Sequence, residues 1–501
     1  MRKACVLALV ALMAMCAAAS FAAEKTYKPT WDSLEKHNEA PEWFRDAKFG
    51  IYFHWGVYSV PAFGSEWYPR NMHRKNRPEY THHLETYGEP TEFGYHEFVP
   101  GFKAQKFDAE RWATLFEKAG ARFAGPVAEH HDGFAMWDSE VTPWNAADKG
   151  PKKDLTGLLE EAIRERGMKF FASFHHARNN LWQKPNGDWT GHYEFVKKDF
   201  PALLEDPENA ILYGYMPRDE FLDFWLAKLQ EVIDRYHPDV MWFDSWLDEI
   251  PEEYQRKYLA YYFNHAKPGQ QVVVTRKQDD LPLDVSVEDF EKGRANRLTE
   301  NVWLTDDTIS RGSWCYTKGL KIKSLDEVLD TFIDIVSKNG VLVLNISPKA
   351  NGIIPENQKK VLLGIGEWLD KYGEAIYNTR PYLVFGEGPT RLKKGGHFVR
   401  MKGGYKPEDI RFTRSKDGKT VYAIELGWPG NNKTVTIESV SKDMLPDGVK
   451  VTDVSLMGYD AEIDWKMTGE GLQVTTPDTK VDELAVVYRI KTNGSVMAGQ
   501  K

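Results

Sequence analysis

Cysteine is scarce in this chain, with three residues in 501, at Cys5, Cys16 and Cys315. The first two fall in a stretch that reads as a leader, so only Cys315 would remain and an intrachain disulfide is excluded. A fold without such staples must rest on its core. Cys315, within Ser313-Trp314-Cys315-Tyr316, reads as a small buried apolar residue and not as a reactive thiol. Apolar runs long enough to cross a membrane are also missing. The longest, Cys5–Ala19, is short, follows Arg2 and Lys3, and gives way to Ser20-Phe21-Ala22-Ala23. That pattern predicts a signal peptide over residues 1–23 and a secreted or periplasmic protein. Positive charge is not in excess: 65 Lys and Arg stand against 74 Asp and Glu, for a net charge of −9. This argues against binding to nucleic acid or to an acidic membrane surface. No internal repeat, low-complexity tract, cofactor fingerprint or His-Glu-x-x-His spacing is present, so no cofactor and no metal are expected.

What the chain does have is aromatic side chains, 13% of the residues, with 17 Trp. Flat rings suit a core, and they also cover the apolar C–H face of a sugar. The length exceeds one small domain and fits a barrel of roughly 250 residues or more with an accessory domain. Eight apolar or β-branched runs predict strands: Phe49–Trp55, Arg122–Glu129, Lys169–Phe174, Val240–Phe243, Gln271–Thr275, Val285–Phe290, Val302–Thr305 and Val341–Ile346. Amphipathic stretches between them predict helices over Asp108–Ala119, Leu155–Arg166, Asp219–Tyr236, Glu252–His265 and Leu325–Lys338. The last of these opens on Ser324 and Glu327 at capping-box spacing. Pro355–Tyr372 reads as a final helix, and no helix is read between the sixth and seventh strands. Alternating strands and helices imply a parallel sheet covered on both faces, and eight strands imply closure.

The expected fold is therefore α/β: a (β/α)8-type TIM barrel over residues 24–378, then a small C-terminal all-β sandwich over 379–491. The sandwich rests on the runs Thr420–Leu426, Thr434–Ile437, Val451–Leu456, Leu472–Thr475 and Leu484–Ile490, with a hairpin signal at Asp417-Gly418. Residues 492–501 read as a polar, disordered tail.

Functional groups in such barrels sit at the C-terminal ends of the strands. Here those ends carry His54-Trp55-Gly56, Glu129-His130-His131-Asp132, His175-His176, Asp244-Ser245-Trp246 and Glu288-Asp289-Phe290-Glu291. Histidine, tryptophan and carboxylate at one rim suit a sugar. Asp244 follows the apolar run Val240-Met241-Trp242-Phe243, where an unpaired carboxylate would be costly to bury. The paired histidines bring a metal to mind, but neighbours on a strand point to opposite faces, so His130 and His131 should not both hold one ion unless the strand has already broken.

At these residues the sequence resembles glycoside hydrolase family 29, the α-L-fucosidases. The matching stretches include Trp43-Phe44-Arg45-Asp46-Ala47-Lys48-Phe49-Gly50-Ile51, Phe53-His54-Trp55-Gly56 with Glu66-Trp67-Tyr68, Glu129-His130-His131-Asp132-Gly133-Phe134 with Trp137, Asp239–Asp244, Ser313-Trp314-Cys315-Tyr316, Leu344-Asn345-Ile346-Ser347-Pro348 and Gly366-Glu367-Trp368-Leu369. They occur in the family's order. The resemblance implies a retaining exo-α-L-fucosidase acting on a fucosylated oligosaccharide or glycoconjugate, with Asp244 as nucleophile. It also implies His54, Glu66, His130 and His131 as ligands of sugar hydroxyls, with His175 or His176 beside them, and Trp67, Trp137 and Trp242 as wall residues.

One position departs from the pattern. Many relatives carry a glutamate directly after a tryptophan shortly before the Ser-Trp-Gly-Tyr stretch, and here that place reads Trp303-Leu304. Glu291-Lys292-Gly293-Arg294 resembles a Glu-Arg-Gly element of members lacking that glutamate, which makes Glu291 the expected acid/base, ahead of Glu288, Asp289, Asp306 and Asp307. Lys292 or Arg294 is a further candidate for substrate binding. Two competing readings stand beside the fucosidase: a non-hydrolytic fucosyl-glycan-binding relative that has lost its acid, and a metal-dependent barrel hydrolase built on the histidine pairs.

Overall fold

The computed structural model describes residues 26–498 apart from Ser245, Arg400 and Lys402. The expected signal peptide lies outside the described residues. Eight strands, β1 (Phe49–Phe53), β2 (Phe123–Glu129), β3 (Lys169–Phe174), β4 (Val240–Phe243), β5 (Val273–Arg276), β6 (Val287–Asp289), β7 (Trp303–Thr308) and β8 (Gly340–Ile346), form one closed barrel. Neighbouring strands are parallel, and β1 pairs with both β2 and β8 to close the ring. All eight runs read from the sequence are barrel strands. Six long helices pack outside: α1 (Ala109–Lys118), α2 (Leu155–Glu165), α3 (Arg218–Tyr236), α4 (Glu252–Asn264), α5 (Leu325–Ser337) and α6 (Glu356–Tyr372). Their starts follow local chemistry: Asp108, Asp154 and Ser324 each accept a backbone N–H of the first turn. As read, no helix joins β6 to β7 among the described residues.

Alternation along the strands divides the apolar side chains into two layers. Ile51, Phe53, Phe170, Ala172, Met241, Val274, Leu342 and Leu344 pack outward into the layer shared with the helices. Tyr52, Phe123, Phe171, Val240, Trp242, Val273, Val287, Leu304, Val341 and Val343 point inward and fill the barrel. Counting on by two from the inward rows reaches His54, His175, Asp244, Lys277, Glu291, Asp306 and Asn345. The barrel is thus plugged by apolar side chains below and closed by polar ones at its C-terminal face.

The C-terminal domain is a five-stranded sheet in the order β9 (Arg380–Glu387), β10 (Ile410–Arg414), β11 (Thr420–Glu425), β16 (Val486–Thr492) and β13 (Val451–Leu456). It faces a three-stranded sheet of β12 (Thr434–Ile437), β15 (Leu472–Thr475) and β14 (Trp465–Met467) across a shared apolar core. The Asp417-Gly418 signal joins β10 to β11, which pair antiparallel. Strands β9, β10 and β14 were not read from the sequence. The reading of the tail as disordered is corrected for residues 492–498, and residues 499–501 lie outside the described residues. Thr492 closes β16, Val496 is buried in the sandwich core, and its N–H donates to Gly418 O at 2.9 Å. Val496, with Met497 packed against the same core, anchors an otherwise polar segment.

Candidate active site

The polar face of the barrel lines a cavity of about 410 Å³. Asp244 stands just past β4, its N–H donating to Phe174 O at 3.1 Å. One carboxylate oxygen is 3.2 Å from Lys277 Nζ, and the other is 3.2 Å from His131 Nε2 and 3.4 Å from His175 Nδ1. Burial alone would push this carboxyl up. The Lys277 ammonium and the two imidazoles overcome that and hold it well below the usual range, so Asp244 is an anion.

Lys277 Nζ also lies 3.2 Å from Glu291 Oε2, 3.5 Å from Asp289 and 3.6 Å from Asp306. Its own burial favours the neutral amine, but the four surrounding carboxyls outweigh this and keep it charged. One cation cannot neutralise four carboxylates, so protons must be shared among them. Burial, then the charge of Asp306, pushes Asp289 well above the usual range. Burial, opposed by Lys277 and reinforced by Asp306 and Asp244, raises Glu291 to about 7. Glu291 reaches the cavity with its side chain 21% exposed, whereas Asp289 is fully buried beneath it and accepts the Asp306 N–H at 3.0 Å.

The other acid candidates lie elsewhere. Glu288 points away from the barrel interior into a separate depression with Leu283 and Arg297. Asp307 turns outward to Lys323, 2.7 Å away. Leu304 is completely buried in the barrel plug two residues below Asp306, so its position does not face the cavity.

Four imidazoles form one wall. His54 Nδ1 donates to Asn345 Oδ1 at 2.8 Å, which leaves Nε2 as an acceptor. The His130 and His175 ring centroids are 4.4 Å apart, and His54 lies 5.3 Å from His130. Burial, and then neighbouring imidazoles, hold His54 and His130 well below the usual histidine range. Burial, against the Asp244 hydrogen bond, brings His131 to about 4. These three rings are neutral at pH 7 and can each donate and accept. His130 and His131 do not take opposite faces: β2 ends at Glu129, the backbone turns, and both side chains line the cavity.

Glu66 is buried at the cavity edge, where it accepts the Trp314 N–H at 2.9 Å and the Ser313 hydroxyl at 3.3 Å. Trp67 is half-buried at the rim, 5.1 Å from the His131 ring. Trp242 forms part of the floor, with Lys277 Nζ 4.4 Å from its ring centre. Trp137 is a correction: it is fully buried outside the barrel, where its Nε1 donates to Glu231 at 2.7 Å and its ring meets Phe174. It follows the turn after β2 and packs under the helices, out of reach of the cavity. Likewise His175 lines the cavity and His176 stacks on Trp225.

Among the described residues, two groups of side chains could chemically hold a metal ion: His54, His130 and His175, and His131, His175 and Asp244, each with ligating atoms within 4.8 Å of one another. In the second group an ion would face the Lys277 ammonium, which repels it. In the first, His54 has one nitrogen committed to Asn345.

Comparison with known proteins decides the family. The Alpha-L-fucosidase profile matches residues 14–374, and the Alpha-L-fucosidase C-terminal domain profile matches residues 406–491. The chain belongs to the α-L-fucosidase family. Among its relatives in this family, the rat tissue alpha-L-fucosidase is 31% identical over 94% of this chain and 92% of its own length. The human tissue alpha-L-fucosidase is 29% identical over 90% and 88%. The crystal structure of Thermotoga maritima alpha-fucosidase is similar with a TM-score of 0.72 at 31% identity, covering 93% of this chain and all of that one.

Several cavity residues of this family member escaped the sequence reading. Lys277 is the central one, and a signal for it existed: it lies on the inward face two residues past Thr275 and four past Val273. Arg178, over the Trp246 ring at 3.6 Å, comes from the loop after β3. Phe398 comes from the C-terminal domain and could not be placed without the fold.

Proposed function

We propose that the protein is a retaining exo-α-L-fucosidase that releases terminal α-L-fucose from an oligosaccharide or glycoconjugate, with Asp244 as nucleophile and Glu291 as acid/base. The observation that carries this reading is the shared ammonium: Asp244 and Glu291 each have an oxygen 3.2 Å from Lys277 Nζ, one held ionised and the other at about 7. Twice that distance limits the gap between those oxygens to about 6.4 Å, within reach of the ~5–5.5 Å of retaining enzymes and below the ~6.5–9.5 Å of inverting ones.

In the first step an Asp244 oxygen attacks the anomeric carbon, the glycosidic C–O bond breaks, and Glu291 gives its proton to the departing oxygen. The sugar is then held as an ester. Esterification removes the Asp244 charge, which was one cause of the high Glu291 pKa. Having given up its proton, Glu291 is a carboxylate that the lowered pKa keeps ionised, and it takes a proton from the water that cleaves the ester. His54, Glu66, His130, His131 and His175 supply the donors and acceptors that sugar hydroxyls need, while the rings of Trp242, Trp67 and Trp314 offer an apolar wall to the methyl group of a 6-deoxy sugar.

The test is chemical rescue. Asp244→Gly should abolish turnover and, with azide, yield a fucosyl azide of inverted anomeric configuration. Glu291→Ala should lose far more activity on an oligosaccharide than on a nitrophenyl fucoside, and azide should yield the retained anomer. If Glu291→Ala cleaves an oligosaccharide like the wild type, another group is the acid. The second reading, a fucosyl-glycan binder, is raised by Leu304, which stands where many relatives carry glutamate but lies in the barrel plug and does not face the cavity. Retained binding without release of fucose from a natural oligosaccharide would select it. Export rests on residues 1–23, and N-terminal sequencing of protein from the periplasm or medium tests it.

A further inference from the structure

Phe398 stands apart from the other described apolar side chains. Among the described residues it is the most exposed large hydrophobic, at 61%, and it lines the active-site cavity although it belongs to the C-terminal domain. Its backbone is left-handed, at φ 55°, a conformation that costs a bulky residue energy and persists only where the surroundings impose it.

The surroundings do impose it. The connection from β9 to β10 runs back over the barrel as a strap. Arg294 and Gly396 exchange both backbone hydrogen bonds, at 3.2 and 3.1 Å. Phe398 N–H donates to Glu291 O at 2.7 Å, and Glu291 N–H donates to His397 Nδ1 at 3.0 Å. Gly293 allows the close approach, since a Cβ there would sit 2.0 Å from Gly396 O. The strap is thus tied to the residue that protonates the glycosidic oxygen. The group bonded to that oxygen must lie on this side of the cavity, while fucose fills the imidazole side.

We infer that Phe398 is the platform for the leaving-group sugar, so that the C-terminal domain contributes the aglycone subsite of the barrel's active site. This rests on the hydrolase reading above. The occupant is a pyranose presenting an apolar C–H face to the ring. Beyond it, Lys292 forms a wall shared with a second depression of about 460 Å³, lined by Asp307, Arg311, Lys323 and Tyr405, where hydroxyl groups of a longer glycan find charged partners.

The experiment compares two leaving groups. Fucosyl fluoride departs without a ring and without acid assistance. The sugar substrate is the best cleaved of a set of fucosyl disaccharides linked to galactose or N-acetylglucosamine. In Phe398→Ala, kcat/KM for the disaccharide should fall roughly tenfold, mostly through KM, while fucosyl fluoride hydrolysis stays unchanged. Phe398→Gly relieves the backbone, should fold at least as well as the wild type, and should show the same selective loss. Phe398→Trp should restore the disaccharide. Equal losses on both substrates, no loss on either, or a wild type that cleaves fucosyl fluoride but none of the disaccharides would overturn the subsite. Failure of the wild type on fucosyl fluoride would instead refute the hydrolase reading on which it stands.

Discussion

At the scale of single residues, the site is governed by how one buried ammonium divides its charge. Lys277 holds Asp244 ionised and leaves Glu291 at about 7. A general acid must be protonated to act, so kcat/KM on oligosaccharides should fall as pH rises through about 7. Glu291→Gln should remove that alkaline limb along with most of the rate, and a pH profile that keeps its alkaline limb in the variant would assign the titration elsewhere. Removing the ammonium should be worse than removing either partner. Lys277→Met leaves Asp244, Asp289, Glu291 and Asp306 without their cation, and breaking a buried ion group costs roughly 3–5 kcal/mol. Asp244 should then titrate upward, so that the acidic limb of the rate profile moves to higher pH. Unchanged melting temperature and an unchanged acidic limb would show that Lys277 is not what ionises Asp244.

At the scale of elements, strand alternation explains both what was legible and what was not. The apolar plug and the polar rim lie on the same faces of the same strands, so reading β4 as Val240-Met241-Trp242-Phe243 already aimed Asp244 at the cavity. The same count separated Asp289 and Glu291 from Glu288. It failed for His130 and His131, where β2 had ended, and for Trp137, which lies beyond a turn that no period describes. The strap defeated it altogether, because its place depends on a pairing between Arg294 and Gly396, 102 residues apart, that leaves no local pattern. That pairing should be testable from the barrel side. Gly293→Ala forces its new methyl against Gly396 O, so the strap must lift and Glu291 must lose its two backbone contacts. Oligosaccharide turnover should drop roughly tenfold or more, since small misplacements of an acid are costly. For fucosyl fluoride, whose departure needs no proton, kcat/KM should stay near the wild-type value while kcat falls, because Glu291 must still act as base on the ester.

At the scale of the whole molecule, the two domains are joined by a buried charge cluster as well as by apolar packing. Asp334 on α5 is fully buried. Its carboxylate meets Lys338 at 2.6 Å within the barrel, Arg411 on β10 at 2.7 Å and Arg294, beside the strap, at 3.7 Å. Trp368 on α6 adds a hydrogen bond to Ala485 O at 2.9 Å. Burial would raise the Asp334 carboxyl, but Lys338, Arg411 and Arg294 reverse this and hold it well below the usual range. A carboxyl depressed in the folded state stabilises above its unfolded pKa of about 4, and that contribution drains away as pH falls toward the folded value. Asp334→Asn should therefore lower the melting temperature markedly at pH 7, because three cations lose their buried anion at a cost of roughly 3–5 kcal/mol. The gap between variant and wild type should narrow steadily from pH 5 to pH 3, since only the wild type has this proton to gain. Calorimetry across that range decides it. A gap that is constant with pH would mean the substitution acts through packing alone, and the clamp between barrel and sandwich would then owe nothing to charge.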